Sequence, residues 1–215
     1  MDKEQILEQL ENPGLVPVIR LDSGEKLPKL LDAFLRGGIR AAELTMTIPG
    51  ALELLRENRK QLGDSLLLGM GTITDRISAK AAVDAGAQFL VSPFPVFDAL
   101  EEARRAGIPM IMGAFSPMEV NSVYHAGADF IKVFPINVSG INYLKDLKGP
   151  LPHVKFFPTG GITLEQIPRI FKLACGCGVG GALVRTDYIR DENWEALMVL
   201  AADFVAAARA GRMIK

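Results

Sequence analysis

The chain has 215 residues, 49% of them hydrophobic, enough for an aliphatic core in one large domain or two small ones. Its 24 lysines and arginines nearly balance 25 aspartates and glutamates, and the resulting net charge of −1 argues against a general nucleic-acid binder. No apolar run approaches the roughly 20 residues that cross a bilayer, so no membrane partner is expected.

The N-terminal stretch "MDKEQILEQLENPG" is charged and helical in pattern, with no apolar signal core, which points to the cytoplasm. From residue 15 onward, short apolar runs alternate with amphipathic segments. The runs are "LVPVIRL", "AAELTM", "LLLGMGTI", "FLVSP", "PMIMGAF", "FIKVFP", "VKFFPTGG" and "CGVGGALV". Between them lie helical patterns such as "GEKLPKLLDAFLRGG" and "VFDALEEARRAG", many closing on glycine as a left-handed C-cap does. Strand–helix alternation predicts parallel strands in an α/β architecture. Eight runs predict a single (β/α)8 TIM barrel over residues 1–215, preceded by a helix, although such barrels usually need about 250 residues. A doubly wound open sheet is the rival arrangement. No linker or composition break suggests a second domain.

Alternation along each run places polar residues after apolar ones on one parity. Arg20 follows Val16 and Val18; Glu43 follows Ala41; Thr72 follows Leu68 and Met70; Lys132 follows Phe130; Thr159 follows Phe157. Active sites of barrels assemble at the carboxyl ends of the strands, so these five residues are expected to converge. A lysine within "FIKVFP" would lose hydration, and lysines are almost never buried without a partner or a purpose. A free amine attacks carbonyls to form an imine, and a nearby carboxyl such as Glu43 can move the protons. The other reading is a buried Lys132–Glu43 salt bridge, which adds little net stability.

A second signal is "FPTGGITLEQI", where Gly160 and Gly161 precede Thr163 as a helix cap, and "GVGGALV" offers Gly180 and Gly181. Glycines let an anion approach main-chain amides, and loops after the seventh and eighth strands commonly hold phosphate in barrels. Cys175 and Cys177, separated by one glycine, do not form a usual zinc framework and read as small packing residues.

Together "AELT", "GMGTI", "FLVSP", "IKVFP" and "FPTGGI", in that order over nearly the whole chain, resemble the class I 2-keto-3-deoxy-6-phosphogluconate and 4-hydroxy-2-oxoglutarate aldolases. The resemblance implies a homotrimeric lyase of carbohydrate metabolism, of Entner–Doudoroff type. Such an enzyme cleaves a small keto-acid substrate to pyruvate and an aldehyde, glyceraldehyde 3-phosphate or glyoxylate, without metal or cofactor. It implies that Lys132 forms the imine (Schiff base), that Glu43 shuttles protons, and that Thr72 holds the pyruvate carboxylate. Pro93 and Phe134 would pack on the substrate, and Thr159, Gly160 and Gly161 would hold a phosphate, with Gly180 and Gly181 beside them.

The chain departs from that pattern at two places. Phosphogluconate-type members carry an arginine where Thr47 stands, and a serine where Ala182 stands. Arg20 and "TIP" resemble instead the 2-keto-3-deoxy-6-phosphogalactonate branch, in which an arginine ends the first strand; such an arginine can make a forked contact to the substrate carboxylate. Arg185 could add charge near the phosphate or face solvent. His125 and His153 read as surface residues opposite the site, "LRENRKQLGD" as a solvated face, and the terminal helix bearing Trp194 as core packing. A non-imine phosphate-binding barrel enzyme and a non-catalytic scaffold of the same fold both remain open.

Overall fold

The computed structural model describes residues 1–213. Asp2 opens the first helix. Its carboxylate accepts from the Gln5 amide at 2.9 Å, and the Gln5 side chain accepts from the Asp2 amide at 3.0 Å, a reciprocal cap. That helix, α1 (Lys3–Glu11), buries Ile6 and Leu10 against Val16, Ala41 and Leu67.

The alternation read in the sequence then appears as β1 (Leu15–Ile19), α2 (Leu27–Arg36), β2 (Ala41–Thr45), α3 (Ala51–Leu62), β3 (Leu67–Gly71) and α4 (Arg76–Asp84). It continues with β4 (Leu90–Val91), α5 (Phe97–Ala106), β5 (Met110–Ala114), α6 (Pro117–His125) and β6 (Phe130–Val133). Short helices α7 (Ile136–Ser139), α8 (Asn142–Lys148) and α9 (Ile167–Ile170) follow. The chain then runs through β7 (Cys177–Val179), α10 (Thr186–Arg190) and α11 (Trp194–Met213). The strands form one seven-stranded parallel sheet in the order β6-β5-β4-β3-β2-β1-β7. Val18 and Gly69 flank Glu43 on either side, and Gly113 lies opposite Lys132.

The run "VKFFPTGG", expected to be a regular strand, is not one. It joins the sheet through single bridges, Ile131 to Phe156 on one side and Thr159 to Gly178 on the other. Phe157 and Thr159 donate to the Ile131 and Val133 carbonyls at 2.8 and 3.0 Å, and Gly178 donates to the Pro158 carbonyl at 3.0 Å. Pro158 has no N–H, so the ladder towards β7 is interrupted there.

Two apolar cores lie on the two faces of the sheet. Val16, Ala41, Leu67, Phe89, Ile111, Phe130 and Phe157 fill the inner one, while Leu68, Met70 and Ile131 pack in the other with helix residues such as Leu55 and Ala79. This corrects the parity read for the third run. Leu67 is inward, so Gly69 and Gly71 share its face, and strand alternation does not bring Thr72 inward. Three consecutive leucines left that register unmarked, and a slip of one residue exchanges the faces.

Helix α11 packs on α2 and α9, as its apolar stripe requires. Within "LRENRKQLGD", Arg56, Glu57 and Lys60 are exposed, but Asn58 is buried and donates to the Leu54 carbonyl at 2.8 Å. Cys177 is fully buried in β7, and the half-buried Cys175 donates to the Phe156 carbonyl. Burial pushes the Cys175 thiol up to about 12 and raises that of Cys177 as well, so both stay protonated at neutral pH. His125 and His153 are exposed, with the Tyr124 ring 4.6 Å from that of His153. Among the described residues no helix is long and apolar enough to cross a membrane.

Candidate active site

Lys132 occupies the inner face of β6, above Phe130, and is only 4% exposed. Among the described residues its ammonium has no ion-pair or hydrogen-bond partner, and the nearest aromatic ring recorded is that of Phe134, with its centroid 5.1 Å from Nζ. Glycine sets the backbone packing beside this lysine. Gly113, its cross-strand partner, lies so close to the Pro93–Phe94 backbone that a Cβ at residue 113 would collide with it. Ser92 fixes that approach: its hydroxyl donates to the Phe94 carbonyl at 2.8 Å and accepts from the Gly113 amide at 3.2 Å. Pro93 and Phe134 stand half-buried just beyond the ends of β4 and β6.

Glu43 lies on the inner face of β2 and is 2% exposed. Its Oε1 is buried with no hydrogen-bond partner among the described residues. Desolvation raises its pKa above the ordinary 4.5, against the opposing positive charges of Lys132 and Arg20. Those two charges act on Glu43 from β6 and from the end of β1, so three of the five residues picked from alternation do converge. The Lys132–Glu43 salt bridge of the other reading is not formed. The site instead holds an amine and a carboxyl that are close enough to feel one another and leave each other's lone pairs and protons free.

Arg20 is exposed and donates to Thr47 Oγ1 at 3.4 Å; Thr47 meets Thr45 Oγ1 at 2.7 Å, and Thr45 donates to the Ile19 carbonyl at 2.9 Å. The guanidinium from β1 thus reaches the place on the β2 loop where Thr47 stands. Thr159 is buried, donates its amide to the Val133 carbonyl, and accepts from the Ile136 amide at 2.9 Å. Thr72 follows Gly71 with φ 61, an unusual backbone for a β-branched residue, with a cost of order 1–3 kcal/mol that clusters at functional sites.

Gly160 and Gly161 take φ values of 110 and 64, and Asn137 packs against both; a Cβ on Gly161 would lie 2.8 Å from that of Asn137. Around Gly180 and Gly181 the space is open. The amides of Gly160, Gly161, Gly181 and Ala182 have no protein acceptor among the described residues. They form two sets of free donors on neighbouring loops. The helix expected after Thr163 begins as a single 3-10 turn, Leu164–Gln166, so the donors come from the loop rather than from a helix dipole. Arg185 is not free to assist: it donates to Asp187 at 2.9 Å and stacks on Tyr188.

Gly71, Gly113 and Ser92 escaped the sequence reading. The glycine alternation in "LGMG" was the available signal, because small residues on one face of a strand leave space for a neighbour's side chain.

The model of the "KDPG and KHG aldolase" family matches residues 6–200. The 2-dehydro-3-deoxy-phosphogluconate aldolase of Dickeya dadantii is 32% identical over 206 residues, covering 94% of this chain and 96% of its own. The solved KDPG aldolase of Legionella pneumophila, with pyruvate captured at low pH as a covalent carbinolamine intermediate, superposes with TM-score 0.85 at 29% identity. That match covers 91% of this chain and 96% of the Legionella one. A native KDPGal structure gives TM-score 0.86 at 25% identity, over 93% and 96% of the two chains. With a family match over 195 of 215 residues and an intact lysine–glutamate pair, this chain belongs to the KDPG/KHG aldolase family.

Proposed function

We propose that the protein is a class I aldolase that cleaves a 2-keto-3-deoxy-6-phospho sugar acid or 4-hydroxy-2-oxoglutarate to pyruvate and an aldehyde. The observation that carries this reading is the buried Lys132 amine, free of any ion pair among the described residues, beside a Glu43 carboxyl that likewise has no partner among them. The amine adds to C2 of the keto acid to give a carbinolamine, the species captured in the Legionella enzyme. Loss of water leaves the imine. Glu43, with its raised pKa, supplies the proton for that dehydration and then accepts the C4 hydroxyl proton as the C3–C4 bond breaks. Electrons of that bond flow into the imine, giving an enamine that is protonated at C3 and hydrolysed to pyruvate.

Arg20 and Thr72 hold the carboxylate in this reading, with Thr47 placing the guanidinium, while Pro93 and Phe134 cover the reacting carbons. Thr159 with the free amides around Gly160, Gly161, Gly180 and Gly181 receives the phosphate when there is one. We also infer that residues 1–215 form one domain whose sheet closes as a (β/α)8 barrel, supported by the bridges of Phe156 to β6 and Thr159 to β7. A homotrimer is supported by apolar residues left exposed where neighbouring strands β3–β6 end: Ile77 (82%), Phe94, Phe97, Met118 (79%) and Val138.

Borohydride reduction in the presence of pyruvate tests the chemistry. A single adduct mapping to Lys132, and none in Lys132→Arg, is expected; an adduct elsewhere, or none on folded wild-type protein, removes the imine assignment.

A further inference from the structure

A cavity of about 330 Å³ lies between the loop after β1 and helix α10, lined by Arg20, Leu21, Asp22, Ser23, Thr186 and Ile189 among others. Both of its walls follow the carboxyl ends of adjacent strands, since β1 pairs with β7, so it opens on the same end of the sheet as Lys132 and Glu43. Arg20 is the common wall: it lines the cavity, reaches Thr47, and acts electrostatically on Glu43.

The charges in the cavity decide what it suits. Of its cations, Lys26 is spent on the Ile189 and Arg190 carbonyls, at 3.2 and 3.0 Å, and on Glu192. Arg190 is held by both carboxylate oxygens of Asp191. Arg20 alone carries a charge that no ion pair among the described residues offsets. By contrast, the carboxylates of Asp22 and Glu25, which also line the cavity, have no ion-pair or hydrogen-bond partner among the described residues. Two free carboxylates against one free guanidinium repel a dianionic phosphate. The same carboxylates accept hydrogen bonds from neutral hydroxyls, and Thr186 and Ser23 can donate or accept. The Ser23 oxygen receives the Glu25 amide at 3.4 Å, which leaves its own proton to donate. Leu21 and Ile189 give the carbon chain an apolar floor.

We propose that this cavity is a subsite for the hydroxylated tail of an unphosphorylated substrate, giving the enzyme a second activity on 2-keto-3-deoxy sugar acids that carry no phosphate. The inference rests on the aldolase reading above. In the reaction, the imine forms on Lys132 with release of one water, the C4 hydroxyl proton leaves as the C3–C4 bond breaks, and an uncharged polyhydroxy aldehyde departs through the cavity. The enamine takes a proton at C3, and one water returns to liberate pyruvate and the amine. No redox partner is needed. A phosphorylated acid would place its phosphate on the glycine amides instead.

The test compares pyruvate release from 2-keto-3-deoxygluconate and 2-keto-3-deoxygalactonate, each with and without the 6-phosphate, in wild type, Asp22→Ala and Thr186→Ala. Wild type is expected to turn over at least one unphosphorylated acid. The ratio of kcat/KM for that acid over its phosphorylated counterpart is expected to fall by about tenfold in Asp22→Ala, the loss of a hydrogen bond to a charged acceptor, and by about fivefold in Thr186→Ala, the loss of a neutral one. Pyruvate trapping on the same samples separates the two ideas. Trapping intact with no turnover of either unphosphorylated acid, or with the ratio unchanged in both folded variants, overturns the subsite. Failed trapping in wild type overturns the aldolase reading beneath it.

Discussion

The carboxylate of Glu43 lies over the α-carbon of Gly71, in the space that a side chain at residue 71 would fill; an added Cβ would stand 2.6 Å from Glu43 Cγ and closer still to the carboxyl atoms. The glycine on β3 therefore sets where the acid on β2 can reach, although the two belong to separate sequence motifs. Glu43 is held by this absence of a neighbour rather than by a hydrogen bond, and its reach towards the Lys132 charge depends on it.

Gly71→Ala should accordingly leave the fold in place, because the atoms it displaces are the end of one flexible side chain. Catalysis should suffer more than stability. Misplacing a catalytic group by about an ångström costs roughly 10²-fold, so kcat is expected to fall by about that factor while Tm stays within a few degrees. Steady-state kinetics with thermal melts on the same preparation check this, and a variant with full kcat would show that Glu43 is not positioned by the glycine.

Glu43→Gln removes the proton carrier while keeping the shape, and kcat should drop by about 10²–10⁴-fold. Its stability carries a separate signature. The folded protein holds the Glu43 proton to a higher pH than the unfolded chain does, so the native state binds more protons between the ordinary value of 4.5 and the raised one. Stability contributed by the protonated acid is therefore present below 4.5 and is lost as pH rises through the folded pKa. Relative to wild type, the glutamine variant should gain stability as pH increases across that window. Denaturant melts at several pH values would show it; a constant difference between the two proteins would mean that Glu43 titrates normally.

Arg20→Ala should weaken carboxylate binding. A hydrogen bond to a charged group contributes about 1.5–3 kcal/mol, or roughly 10–100-fold in KM. Because the Arg20 guanidinium already touches Thr47 from β1, the double change Arg20→Ala with Thr47→Arg should restore part of that loss by supplying the cation from β2. Initial rates with pyruvate-forming substrates test both. No rise in KM for Arg20→Ala, or no recovery in the double variant, would place the carboxylate elsewhere.

Local pattern carried a large share of the answer. Alternation within "FIKVFP" and "AAELTM" was sufficient to put Lys132 and Glu43 on the inner face, because side-chain period in a strand is fixed by the backbone and the polar residue follows an apolar one on the same face in each run. The same rule failed in "LLLGMGTI", where three leucines fit either face and only the packing of Leu67 against Val16 and Ala41 chose between them. It also overextended "VKFFPTGG", which joins each neighbour by a single bridge and where Pro158 interrupts the ladder towards β7.

What the sequence determined by itself was thus the strand–helix order, the inward placement of Lys132 and Glu43, and the glycines that free the loop amides, all of which depend on neighbours a few residues apart. The tertiary structure decided everything that depends on separation in space. That includes the absence of a Lys132–Glu43 ion pair, the seat of Glu43 over Gly71, the meeting of Arg20 with Thr47, and the pairing of Arg185 with Asp187 that offsets its charge beside the glycine loops. Distances between side chains on different strands follow from how the sheet curls and packs, and no spacing along the chain encodes them.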